Sequence, residues 1–294
     1  MEITENTWGN LVTGEIRDFK PRSPGQTQAA YEHYKDYENK RILYQFMTEK
    51  YGQFFFCKYD EILETTNEDT ATAFRFLYLC TFADGETYEI EYNGRKIKKI
   101  IDFTDIFGKT EITTRTFVND MLGYGLIYQK QNKCYAVNEE LFAIGFKNND
   151  FAKQSIRAFC NGIRELYDNS YPREHKMIGN IVKLLPFVNV YTNILCWNIE
   201  ESNPEYIQLL TADEIAKVLY PSSPAYGEKK VRDLIRTTVK EEPVLLKAES
   251  HEVTQYYLNP RLFNRLDNPD KMSILYNQFD VAKYNKPKKM VKER

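Results

Sequence analysis

The residue types that carry most enzyme chemistry are sparse in this chain and badly spaced. Gly108-Lys109-Thr110 matches the end of a phosphate-binding loop. That motif needs a second glycine five residues before Gly108, and the position holds Phe103, too bulky to let backbone amides wrap a phosphate. His33, His175 and His251 stand far apart with no H-x-H or H-E-x-x-H arrangement, so neither a metal hydrolase nor a metal-dependent nicking centre is expected. The five cysteines, Cys57, Cys80, Cys134, Cys160 and Cys196, lie singly, without C-x-x-C or a Cys/His pair. They read as buried packing residues rather than a disulfide framework or a zinc site. With no G-x-S-x-G either, the expectation is a binder with no cofactor and no metal, not a catalyst.

Residues suited to binding are better organised. In "AYGEKKVRDLIRTTVKEE", Lys229, Arg232, Arg236 and Lys240 fall within about 60° of one another at 100° per residue, opposite Val231, Leu234 and Ile235, with Lys230 beside them. A merely solvated helix would intersperse carboxylates on that face for (i, i+4) pairing; here the acids sit at the ends, with Asp233 on the flank. In "TEITTRTFVNDML", Phe117, Val118, Met121 and Leu122 share a core-facing arc. Ile112, Arg115, Thr116 and Asn119 lie opposite it, and Thr113 and Asp120 at the edge. Arginine can fork onto guanine and asparagine onto adenine, while Thr113 and Thr116 suit phosphates or thymine methyls. Lys130 and Lys133 in one ribbon, and Lys247 with His251 in another, suit phosphate contacts that position rather than read. The plainer alternative for each set is an ordinary solvated surface.

These residues need elements to hold them. A chain of 294 residues exceeds one average domain, so two compact units plus connecting segments are expected. Forty Lys and Arg nearly balance 42 Asp and Glu, which argues against a coat of positive potential and moves attention to local charge. Abundant Tyr and Phe favour folded cores over disorder. No stretch approaches the roughly 20 apolar residues that span a bilayer, and "MEITENTWGN" lacks a basic start and a hydrophobic signal segment, so a cytoplasmic protein with no membrane partner is expected.

The opening, through Pro21, Pro24 and Gly25, reads as an extended leader before a helix that closes at Gly52. "FFFCKYDEIL" is a short apolar strand or docking arm, and "TATAFRFLYLCTFADG" a buried helix. In "YEIEYNGRKIKK", Asn93-Gly94 supplies a two-residue type I′ turn that sets Ile90 against Ile97, Glu91 against Lys96 and Glu89 against Lys98. "DFTDIFG" is a short helix ending at Gly108; the helix of Arg115 and Asn119 follows and stops at Gly123 and Gly125. "LIYQK" and "KCYAV" then alternate as a ribbon. Between Phe151 and Asn169, Ile156, Phe159, Cys160, Ile163 and Tyr167 form one stripe of a helix, an interdomain strut or else the seam of a homodimer.

Helix, hairpin, short helix, second helix and ribbon is the element order of a winged helix, whose second helix enters the major groove. The order recurs. "HKMIGNIVKLLPFVN" is a helix broken around Pro186, "NILCWNI" an apolar strand, and "LLTADEIAKVLY" a helix with a capping box from Thr211 to Glu214. The cationic helix and the ribbon "PVLLKAESHEVTQYYLNPRLF" follow. The endings "KCYAVNEELF" and "TQYYLNPRLF" share an aromatic strand, Val or Leu, Asn, and a final Leu-Phe. The expected fold class is α+β, two tandem winged-helix domains joined by a linker helix. The expected bounds are an N-terminal arm with helix (1–69), a first winged helix (70–147), a linker helix (148–174), a second winged helix (175–266) and a basic tail (267–294). The last stretch, "VAKYNKPKKMVKER", has six Lys/Arg against one Glu and suits nonspecific phosphate contact.

"TEITTRTFVNDMLGYGLI" with "YAVNEELF", and "IVKLLPFVNVYTNILCWNI" through "LTADEIAKVL" to "YYLNPRLFNR", resemble the tandem winged-helix replication initiators and regulators of phages and plasmids of low-GC Gram-positive bacteria. The likeness covers roughly residues 70 to 266. It implies two winged helices gripping adjacent half-sites of double-stranded DNA, with recognition helices on 110–122 and 225–240. One departure is that Arg115 is the only exposed cation of the first recognition helix, with Glu111 and Asp120 beside it. The expectation is a sequence-specific DNA-binding protein acting in replication initiation or transcription regulation. The alternatives are an adaptor that docks replication or transcription machinery, and a structural component of a nucleoprotein assembly.

Overall fold

The computed structural model describes residues 7–9, 16–18, 24–144, 155–249, 253–266 and 268–284. The protein is α+β with small antiparallel sheets, in two compact units, Met1–Phe46 and Met47–Arg294. In the first unit β1 (Thr7–Gly9) and β2 (Ile16–Asp18) pair antiparallel where the sequence reads as an extended leader. Helix α1 (Pro24–Tyr51) begins at Pro24, a residue whose fixed φ and missing N–H suit a first helical position. Among the described residues no helix is long and apolar enough to cross a membrane.

The second unit contains two successive runs of related elements. The first run is β3 (Phe54–Cys57), α2 (Tyr59–Thr65), α3 (Thr70–Cys80), the hairpin β4 (Glu91–Tyr92) and β5 (Arg95–Lys96), α4 (Phe103–Phe107), α5 (Glu111–Gly123), the ribbon β6 (Ile127–Gln129) and β7 (Tyr135–Val137), and β8 (Phe142–Ala143). The second run is β9 (Ile156–Phe159), α6 (Cys160–Asp168), α7 (His175–Gly179), α8 (Ile181–Leu184), α9 (Ala212–Leu219) and α10 (Pro224–Arg236). It continues with a small hairpin, β10 (Thr238–Val239) and β11 (Glu242–Pro243), the ribbon β12 (Leu245–Glu249) and β13 (Thr254–Leu258), and β14 (Phe263–Asn264). Helix α11 (Pro269–Tyr284) follows.

One four-stranded antiparallel sheet joins the runs, in the order β14-β9-β3-β8. The strand that opens each run pairs with the strand that closes it, and the two opening strands pair with each other. Phe56 opposes Arg157 at the centre; outward, Phe56 meets Ala143 and Arg157 meets Asn264, while Cys57 meets Phe142 and Ala158 meets Phe263. This register is that of a pseudo-twofold through the Phe56–Arg157 pair, which exchanges one run for the other.

The sequence predicts a helix from Phe151 to Asn169, but Ile156–Phe159 is strand and the helix starts at Cys160. All four strand residues are buried, and a strand covered on both faces shows no polar alternation to separate it from a helix stripe. Residues 151–154 lie outside the described set.

The shared Asn of the two endings has one structural job. Asn138 Nδ2 donates to Gly125 O at 3.1 Å while its Oδ1 accepts from Glu140 N at 3.0 Å. Asn259 Nδ2 donates to Pro243 O at 2.8 Å and its Oδ1 accepts from Arg261 N at 2.8 Å. A short amide supplies donor and acceptor together, which closes the ribbon and turns the chain toward the sheet. The runs match again further in: Ile90 N donates to Tyr135 O at 2.9 Å, and Leu195 N to Tyr256 O at 2.8 Å.

The helices of both runs share one core. Tyr78 of α3 stacks on Tyr167 of α6 with centroids 3.7 Å apart. A Cβ on Gly179 of α7 would lie 1.9 Å from Thr70 O of α3, and one on Gly227 of α10 2.3 Å from Ala216 O of α9. Both helix pairs therefore pack backbone against backbone.

Asn259 is fully buried and Asn138 only partly so. Asn259→Ala is expected to destabilise the protein by about 1–3 kcal/mol because it strands a buried carbonyl and amide, and Asn138→Ala by clearly less. Urea unfolding of the two variants checks the order; an equal or reversed loss contradicts it.

Candidate functional site

Each run ends its helical part in a helix pair followed by a ribbon, and the second helix of each pair, α5 or α10, carries the residues singled out above. Gly108 (φ 57) caps the C-terminus of α4 and Thr110 caps the N-terminus of α5. Gly-Lys-Thr is thus the turn between two helices, and Phe103 is fully buried. In the second run Thr211 N donates to Glu214 Oε2 at 2.8 Å and Glu214 N to Thr211 Oγ1 at 3.3 Å, the capping box that the sequence predicts.

On α10, Val231 and Leu234 are buried while Lys229, Arg232 and Arg236 are exposed. Arg232, with a side chain 59% exposed, has a loose contact of 3.9 Å with Glu228. Lys229 and Arg236 have no acidic partner among the described residues. Lys230 is half-buried, 3.0 Å from Asp233 and over the Tyr226 ring. Desolvation opposes its charge, but the hydrogen bond and charge of Asp233 together with Tyr226 outweigh it and its pKa is raised.

Lys240 does not belong to the stripe. The helix stops at Arg236, Thr238–Val239 is strand, and Lys240 (φ 49) and Glu241 (φ 66) form the turn of the β10–β11 hairpin. Three β-branched residues, Thr237, Thr238 and Val239, favour the extended chain there. Lys240 N donates to Glu165 Oε1, and behind the turn buried Glu242 accepts from Arg261 Nε at 2.8 Å.

On α5, Phe117, Val118 and Met121 are buried with Thr114, and Leu122 is partly buried. Arg115, Thr116 and Asn119 are exposed, and Thr113 is half-buried with its hydroxyl 3.1 Å from that of Thr110. Arg115 pairs with Glu111 at 2.9 Å, and Thr116 Oγ1 donates back to Ile112 O at 3.1 Å. Ile112 is 82% exposed, the feature of this face to which sequence reasoning assigned no role.

The ribbons present fewer cations than expected. Lys133 is exposed, but Lys130 is half-buried and donates to Thr87 O. Lys247, on β12, is exposed and paired with Glu249. His251 lies outside the described residues. The hairpin register sets Glu91 against Lys96 and joins Ile90 to Ile97, but Glu89 does not meet Lys98. Glu89 turns inward, where β7 crosses it, and contacts Lys96 at 2.6 Å and Asn132 at 2.8 Å. Hydrogen bonds from Lys96 and Asn132 lower its pKa.

All five cysteines are buried and free, and burial pushes the Cys57 thiol up to about 12. Among the described residues no group of three His, Cys, Asp or Glu could hold a metal ion. His175 is fully buried, accepts at Nδ1 from Arg75 Nε at 3.2 Å and lies 4.7 Å from the Tyr167 ring. No protein-family model, curated protein or solved structure matches the chain.

Desolvation, then the charges of Arg75 and Lys109, lower the His175 pKa from 6.5 to about 3. Between those values the unfolded chain binds the proton and the folded one does not. Stability therefore falls as pH drops through this window, by up to about 1.4 kcal/mol per pH unit. Chemical unfolding against pH is expected to show a shallower decline for His175→Gln than for the unaltered protein; parallel curves contradict the assignment.

Proposed function

We propose that the two runs are tandem winged helices that bind one double-stranded DNA. Each turns its second helix, α5 or α10, toward a major groove and its ribbon toward the adjoining backbone. The observation that carries this reading is the outer face of α10, where Arg232 and Arg236 stand exposed over buried Val231 and Leu234. On α5, Arg115 and Asn119 are the base-reading pair, with Thr113 and Thr116 beside them. The Arg115–Glu111 pair is solvent-exposed, and such a pair is worth only about 0.3–0.5 kcal/mol, so Arg115 can exchange its partner for guanine. Two heads on one chain make the second contact intramolecular, which raises affinity without new contacts. The role is that of a cytoplasmic replication initiator or transcription regulator of the phage and plasmid type, a binder that needs no cofactor.

A second reading is favoured by Ile112, an exposed aliphatic side chain next to a neutralised ion pair. In it, the first run docks a protein of the replication or transcription machinery through α5. Retention on duplex DNA at low salt separates the readings.

Each neutralised phosphate contributes about 0.9 to the slope of log affinity against log salt. Arg232→Ala with Arg236→Ala is therefore expected to flatten that slope by about 1.8 in anisotropy titrations with duplex DNA. An unchanged slope removes α10 from the interface, and an unaltered protein that binds no duplex at low salt overturns the reading.

A further inference from the structure

We infer a second phosphate-binding surface, distinct from the outer faces of both reading helices: the rim where the open end of the β4–β5 hairpin meets the tip of the first ribbon, carrying Lys98, Lys99 and Lys133. The inference rests on the DNA-binding reading above and gives the first run the backbone contact that α5 lacks.

The three side chains are exposed and have no acidic partner among the described residues. Two arrangements make this so. Glu89, the acid that hairpin alternation would place against Lys98, is 4% exposed and held by Lys96 and Asn132. Asp102, the next acid along the chain, turns its Oδ2 to the backbone N–H groups of Lys98 and Lys99 at 3.2 and 2.9 Å, which leaves their ammonium groups outside. Glu91 stands opposite Lys96, not opposite the rim lysines.

The rim is also built as one piece. Gln129 Nε2 donates to Lys98 O at 3.2 Å and to Lys133 O at 2.9 Å, so a single amide binds the hairpin to the ribbon and keeps their cations side by side. A flexible loop of lysines would lose more freedom on binding than this tied edge does.

The second run supplies the contrast. Its corresponding connection, between Cys196 and α9, carries Glu200, Glu201 and Glu205 and no Lys or Arg. Exposed Lys residues thus stand on the rim of the first run, where the corresponding connection of the second run is acidic, and the second run carries exposed Arg232 and Arg236 on α10. Paired with the α5 face, where Glu111 neutralises Arg115, the rim is the part of the first run whose charge complements a DNA backbone.

The test is the salt dependence of binding for Lys98→Ala with Lys99→Ala, on a random-sequence duplex and on a duplex that the protein selects from a random pool. The expected result is a slope reduced by about 1.8 on both duplexes, because phosphate contacts carry no sequence information. Lys133→Ala adds a further reduction of about 0.9. An unaltered slope in the rim variants, with the Arg232 and Arg236 variants still flattened, overturns the rim and leaves the DNA reading standing. Absence of duplex binding by the unaltered protein overturns both.

Discussion

The antiparallel pairing of β3 with β9 is the constraint on which the rest of the second unit depends. Phe56 and Arg157 oppose each other at its centre, and every other strand of the sheet is added symmetrically outward. Because each run begins and ends on this sheet, the helices between are returned to it on both sides, and α3 is brought against α7 closely enough that only glycine fits at position 179. Arg157 is buried there, and its guanidinium donates to Leu266 O at 2.6 Å. A buried cation needs such an acceptor, and the carbonyl lies just past β14, so the same residue that centres the sheet also ties down the end of the second run.

A common frame with unlike surfaces is the result. The two runs agree in their Asn closures, in the backbone bonds of Ile90 and Leu195, and in the strands that follow Leu141 and Leu262. They differ where the frame leaves side chains outside. Glu111 answers Arg115 on α5, whereas Arg236 on α10 meets no acid among the described residues. Charge has been distributed over a duplicated scaffold rather than duplicated with it.

Local chemistry explains what could be read from the sequence. Asn93 and Gly94 do adopt the positive φ of a tight hairpin, Thr211 and Glu214 do cap a helix, and the arcs of α5 and α10 do separate buried from exposed residues. Each of those signals is complete within a few residues. The failures are positions decided by distant partners. Nothing in "TTVKEE" announces a turn, since Lys240 and Glu241 are not residues that favour positive φ; Glu165 and the Glu242–Arg261 pair hold them there. Glu89 is captured by Asn132, 43 residues away, which is why Lys98 escapes the pairing that alternation suggests. Ile156 to Phe159 form a strand because β3 and β14 flank them, which no window of local sequence contains.

The central claim is that one chain engages one duplex through both runs. Hydroxyl-radical footprinting of the one-to-one complex on a selected duplex measures this most directly. The account predicts two separate protected windows of backbone that appear together at a single binding midpoint. One window alone, or a second that appears only when another chain binds, would contradict it.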